Sequence, residues 1–70
     1  MKSLTSPMAG VILRVPVQVG ESLQPGQEAV VLESMKMEIP VEATELGTVR
    51  EVNVKTGDFV NEGDVLLQFE

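Results

Sequence analysis

Lys36 stands between two methionines in the segment Ser34-Met35-Lys36-Met37, at the middle of a chain of 70 residues. A lysine amine in such a setting is a candidate acceptor for an acyl group, which would remove its charge and add a long appendage. A charged ammonium group is a poor nucleophile, so a partner enzyme would have to supply an activated acyl group and accept a proton. The alternative is that Lys36 is an ordinary solvated charge in a turn.

The two methionines strengthen the case for a special site. Gly, Asn or Asp is expected at a tight turn, whereas Met35 and Met37 are large and apolar. Exposed apolar side chains are tolerated where a partner contacts them, and methionine suits surfaces that several partners contact. The alternative is that one methionine packs into the mouth of the predicted fold as filler.

The composition excludes several classes of function. The chain has no cysteine and no histidine, which excludes disulfides and leaves no paired nucleophile and base, so we expect no metal site and no catalytic residues. A net charge of −6 and only two phenylalanines argue against nucleic-acid binding. No apolar run approaches the roughly 20 residues of a membrane span, and no targeting pattern is present, so we expect a cytoplasmic protein.

The sequence repeats itself with an offset of 37 positions, which places residues 1–33 on residues 38–70. Two copies of one structural unit are indicated, because turn-forming glycines and apolar positions recur together. The hairpin segment, residues 34–37, is what remains between the copies. The identical pairs are Gly10/Gly47, Val15/Val52, Val17/Val54, Gly20/Gly57, Gly26/Gly63 and Glu33/Glu70.

Each copy consists of short valine-rich segments separated by turns, which is typical of strands. Alternation predicts a strand at Val15–Val19, with Pro16 at an edge or bulge, and Pro25-Gly26 fits a type II turn. No segment has a helical period.

Two copies that cover each other's apolar faces predict a single all-β domain over residues 1–70. We expect a flattened barrel or small sandwich of about eight strands with a pseudo-two-fold axis. We expect a monomer, with the hairpin at the opposite end from the termini.

The segment Glu33-Ser34-Met35-Lys36-Met37-Glu38 resembles the attachment sequence of biotinyl domains, and the similarity extends over residues 4–70. Ser6-Pro7-Met8-Ala9-Gly10 and Gly63-Asp64-Val65-Leu66 also match that family. The closest resemblance is to small free-standing biotin/lipoyl attachment proteins. The spacing from Gly20 to Gly26 equals that from Gly57 to Gly63, so the protruding thumb of some biotinyl domains is absent.

The resemblance implies a barrel-sandwich of two four-stranded antiparallel sheets in which a biotin protein ligase attaches biotin to Lys36. It implies that Met35, Met37 and Glu33 serve ligase recognition and presentation of the lysine. The alternative for Glu33 is an ordinary solvated charge at the end of a strand. It further implies a non-catalytic carrier that shuttles carboxyl groups between the biotin carboxylase and carboxyltransferase sites of a biotin-dependent carboxylase.

Two alternatives remain open. The first is a lipoyl carrier for an oxo-acid dehydrogenase-type system, although lipoyl domains typically have an acidic residue and a small residue where this chain has Met35 and Met37. Lipoate is therefore a minor alternative cofactor. The second is an unmodified barrel that acts as an adaptor.

Overall fold

A computed structural model describes all residues from Met1 to Glu70 and contains eight strands and no helix. The all-β prediction is confirmed, and no helix exists that could cross a membrane. The strands are β1 (Lys2–Thr5), β2 (Gly10–Arg14), β3 (Ser22–Leu23), β4 (Glu28–Ser34), β5 (Met37–Glu42), β6 (Gly47–Val52), β7 (Phe59–Val60) and β8 (Val65–Phe69).

The strands form two four-stranded antiparallel sheets, as the family resemblance implied. The first sheet has the order β1-β8-β6-β3, and the second, here called the lysine sheet, has the order β5-β4-β2-β7. The offset of 37 residues carries β1 to β5, β2 to β6, β3 to β7 and β4 to β8, and it therefore carries one sheet order onto the other. The repeat in the sequence is thus a pseudo-two-fold axis in the structure.

The two half-repeats are interleaved within each sheet. The inner strands of the first sheet, β8 and β6, come from the second half, while its edge strands come from the first half. In the lysine sheet the assignment is reversed. Each half therefore depends on the other for its neighbouring strands. The core between the sheets consists of Ile12, Val17, Leu23, Ala29, Val30, Leu32, Val41, Ala43, Val49, Val60, Leu66, Leu67 and Phe69.

Four glycines make the four tight turns outside the hairpin. Gly26 has a φ of 86°, and the Gln27 amide donates to the Gln24 carbonyl at 3.0 Å, so Pro25 and Gly26 occupy the central positions of a type II turn as predicted. The symmetry-related Gly63 has a φ of 89°. Positive φ is the conformation that glycine adopts without steric cost, which explains why the repeat retains these residues.

The predicted strand at Val15–Val19 is wrong. Strand β2 ends at Arg14, and residues 15–19 pair with no neighbouring strand, although Val17 is buried in the core. In the second half the Asn53 amide donates to the Leu66 carbonyl at 2.9 Å. Pro16 occupies the equivalent position in the first half and has no amide hydrogen to donate.

Candidate functional site

Lys36 lies at the tip of the hairpin that joins β4 to β5 in the lysine sheet. Ser34 and Met37 pair across these two strands, so only Met35 and Lys36 form the loop. The loop is therefore tighter than the four-residue segment expected from the sequence. Their φ angles are 53° and 65°, and positive φ at both central residues defines a type I′ turn.

The conformation of this turn is costly for the residues that form it. Met35 and Lys36 are the only residues other than glycine with positive φ in the chain. The left-handed conformation costs roughly 1–2 kcal/mol for each residue that has a side chain, and type I′ turns strongly favour Asn-Gly. Backbone strain of this kind clusters at functional sites, where the side-chain identity matters more than local stability. The unusual residue types are visible in the sequence, whereas the strain depends on the pairing of Ser34 with Met37 and is not.

The side chains at the tip are open to solvent. Met35 is 92% exposed and Met37 is 64% exposed, so neither packs into the fold as filler. Lys36 is also exposed and forms no ion pair. The amine and both methionines are therefore accessible to a partner.

Glu33 lies one residue below the closing pair of the hairpin, directly opposite Glu38 on β5. Both carboxylates are exposed, and Arg14 forms an ion pair with Glu38 at 3.4 Å and approaches Glu28 at 3.9 Å. Exposed pairs of this kind contribute about 0–1 kcal/mol. Glu33 has no ion-pair partner, which leaves it available to a partner protein.

Gly10 supports the base of the hairpin from the neighbouring strand β2. A Cβ atom at this position would lie 2.7 Å from the carbonyl oxygen of Glu33, closer than real Cβ contacts allow. The symmetry-related Gly47 is similarly close to the backbone, with a virtual Cβ 3.0 Å from the Glu70 carbonyl oxygen. In the first sheet, Glu70 and the chain termini therefore occupy the position that Glu33 and the hairpin occupy in the lysine sheet.

The surroundings of Lys36 contain no catalytic arrangement. No group of three acidic side chains could hold a metal ion, and no buried polar side-chain atom lacks a hydrogen-bond partner. The larger surface cavity, of about 750 Å³, lies between β1 and β5 and is lined by none of residues 33–37. The site is thus an exposed amine at the tip of a paired hairpin.

Known proteins match almost the whole chain. The family model described as "Biotin-requiring enzyme" matches residues 2–69. The Biotin/lipoyl attachment protein of Bacillus subtilis is 57% identical over 61 residues, which cover 87% of this chain and 84% of that protein. The mitochondrial propionyl-CoA carboxylase alpha chain of Homo sapiens is 45% identical over 67 residues, which are 96% of this chain but only 9% of that one.

A carrier protein and a solved structure extend the comparison. The Biotin carboxyl carrier protein of Streptococcus mutans is 42% identical over 65 residues, covering 93% of this chain and 50% of that protein. The crystal structure of Kluyveromyces lactis urea carboxylase matches with a TM-score of 0.91 at 30% identity, over 99% of this chain and 6% of that chain. The chain thus corresponds to a small part of the carboxylases that it matches.

Proposed function

The chain belongs to the biotin-requiring family, whose model matches it from residue 2 to residue 69, and on this premise we propose that Lys36 carries biotin for a biotin-dependent carboxylase. The observation that carries the proposal is the strained type I′ tip, which places the lysine between two exposed methionines. An ordinary turn at this place would have Asn-Gly and no apolar side chains.

The hairpin fits a covalently attached group. The Nζ atom of Lys36 would form an amide bond with the carboxyl carbon of biotin, because the amine is exposed and unpaired. A biotin protein ligase would supply the acyl group in a form activated by ATP and would accept the proton that the ammonium group loses. The bond between the acyl carbon and the activating phosphate oxygen would break as the amide bond forms, and the phosphate-containing group would leave. Biotin attached in this way supplies the atom to which a carboxyl group is bound and from which it is delivered.

The residues around Lys36 present it and do not catalyse. Met35 and Met37 offer the ligase an apolar contact on each side of the amine, and Glu33 offers a free carboxylate at the base of the hairpin. The paired strands β4 and β5 hold this arrangement while the long acylated side chain moves. Tethering replaces collision with a free cofactor by an intramolecular encounter, which raises the effective concentration at each active site.

The partners follow from the relatives. Carboxylases that contain a matching segment support a biotin carboxylase and a carboxyltransferase as the enzymes that this carrier visits. The acceptor of the carboxyl group is chosen by those partners and not by any residue of this chain. We place the carrier in the cytoplasm, in keeping with the expectation from the sequence.

The direct test is the intact mass after incubation with a biotin protein ligase, biotin and ATP, followed by peptide mapping. We expect one biotin on Lys36 and none on Lys2 or Lys55, which serve as internal controls. Lys36→Arg should keep the fold and lose the adduct. A normal adduct on the Lys36→Arg variant would refute the assignment of the site.

Lipoate is a second candidate, because a relative that is 57% identical is named as a biotin/lipoyl attachment protein. A parallel incubation with a lipoate ligase, lipoate and ATP tests it. A lipoyl adduct without a biotin adduct would replace biotin by lipoate in the proposal. The absence of both adducts would refute the carrier function and favour an adaptor.

A further inference from the structure

Two exposed apolar residues lie beside the hairpin on the outer surface of the lysine sheet. Phe59 on β7 pairs with Val11 on β2, and Val11 pairs in turn with Glu33 on β4. Phe59 is 65% exposed and Val11 is 38% exposed. These two residues, here called the Phe59–Val11 face, form a continuous row with Glu33 across three neighbouring strands.

The pseudo-two-fold axis provides an internal comparison for this face. The offset of 37 residues carries Val11 to Thr48 and Phe59 to Ser22, which pair with each other in the first sheet. The same fold position therefore has polar residues in one sheet and apolar residues in the other. Because the backbone arrangement is the same, the fold does not require Phe59 or Val11 to be apolar.

The row leads from β7 to the base of the hairpin. Glu33, which continues the row towards Glu38, is one residue from the pair that closes the hairpin, whereas Met37 lies on the opposite face of the sheet and Met35 lies in the exposed turn. Phenylalanine and methionine are enriched in the centres of protein interfaces, whereas charged residues are found at the rim. A partner that contacts the exposed tip and extends along this row would gain the apolar surface of Phe59 and Val11 in addition to the tip itself.

We propose that the Phe59–Val11 face is a docking surface for the biotin protein ligase, an inference that rests on the proposed function. The ligase is the one partner that must recognise the domain before any biotin is attached, so its recognition depends on protein surface alone. The carboxylase active sites can also bind the attached cofactor. Glu33 and Glu38 on the row, and a chain charge of −6, call for a ligase surface with an apolar centre and a basic rim.

The test transplants the polar pair of the first sheet into the lysine sheet. Val11→Thr with Phe59→Ser recreates the residues of Thr48 and Ser22 without altering the hairpin. The matched control is Leu46→Ser, which removes an apolar residue that is 62% exposed and precedes Gly47 in the other half. Initial rates of biotinylation are measured against carrier concentration with a biotin protein ligase, biotin and MgATP. Thermal unfolding tests whether each variant is folded. The single variant Phe59→Ser, which leaves Val11 unchanged, replaces the double variant if the latter does not fold.

We expect kcat/KM for the double variant to fall about tenfold or more, mainly through a higher KM, while the Leu46→Ser variant stays within about twofold of the wild type. Tenfold corresponds to about 1.4 kcal/mol of interaction.

Unchanged kinetics in a folded double variant, or an equal loss in the control, would overturn the docking surface while leaving Lys36 as the acceptor. A double variant that is biotinylated normally but is carboxylated slowly would assign the face to the carboxylase instead. A wild-type chain that accepts no biotin would overturn the carrier function and this inference together.

Discussion

The strained tip of the hairpin predicts that function and stability oppose each other at this turn. Replacing Met35 by Asn and Lys36 by Gly gives the preferred type I′ sequence on an unchanged backbone. The double variant should be more stable than the wild type, and it should have no acceptor amine. Met35→Asn alone should recover part of the stability while keeping Lys36.

The magnitude follows from the two φ angles. A left-handed residue with a side chain destabilises the fold by roughly 1–2 kcal/mol, and glycine removes this cost. Glycine also loses more chain entropy on folding, which offsets about 0.5–1 kcal/mol of the stabilisation. Asparagine lowers the cost at the first position without removing it. The net gain for the double variant is about 1–2 kcal/mol. For a domain of this size, that corresponds to an increase in Tm of roughly 5–15 °C.

Circular dichroism during thermal and urea unfolding measures the effect. Gly26→Ala is the matched control, because its φ is 86° and an added Cβ would meet no atom within 4 Å. It imposes the same conformational cost without a clash, so its stability should fall by about 1 kcal/mol. If Gly26→Ala is destabilised while the Met35→Asn, Lys36→Gly variant is no more stable than the wild type, the reasoning about strain at the hairpin is wrong.

Three further predictions concern the support of the hairpin, the packing of the core and the recognition of the hairpin. Gly10→Ala should lower the free energy of unfolding by about 1–3 kcal/mol, since its Cβ would meet the Glu33 carbonyl oxygen; an unchanged urea midpoint would contradict this contact. Leu66→Ala, at a fully buried position, should cost about 2–5 kcal/mol and leave little of the native circular dichroism on mild heating; a loss below 1 kcal/mol would show that the core between the sheets is not close-packed. Met35→Asp with Met37→Ala should slow biotinylation and favour lipoylation; a wild-type rate of biotinylation, measured by mass spectrometry, would remove both methionines from the recognition site.

Much of the fold could be predicted from the sequence because the same turn residues and apolar positions occur in both halves of the chain. The recurrence of Gly20 and Gly26 at Gly57 and Gly63 located the turns, and the valine-rich segments between them located most strands. The error at Val15–Val19 has a physical cause. Alternation of apolar residues reports which side chains are buried, whereas a strand also requires a neighbouring backbone to pair with, which depends on distant residues.

The candidate site was predictable in part for the same reason. Lys36 could be located because it lies between the two copies of the repeat, but its left-handed conformation depends on the pairing of Ser34 with Met37. The adjacency of Val11, Glu33 and Phe59 depends on the register of three strands and could not be predicted from spacing. A signal was nevertheless present, because the repeat pairs Phe59 with serine at position 22 and Val11 with threonine at position 48.

The interleaving of the two half-repeats has a consequence for biosynthesis. A ribosome that has synthesised the chain as far as Met37 has made the whole acceptor segment, but the strands that complete both sheets are still missing. Strand β7, which flanks β2, and strand β8, which is an inner strand of the first sheet, both lie within residues 59–70. The nascent lysine therefore lies in an incompletely paired sheet until residues 59–70 have been synthesised. A ligase that recognises the folded domain would consequently modify only chains in which residues 59–70 have paired, and attachment of the cofactor would mark the molecules in which this domain has folded.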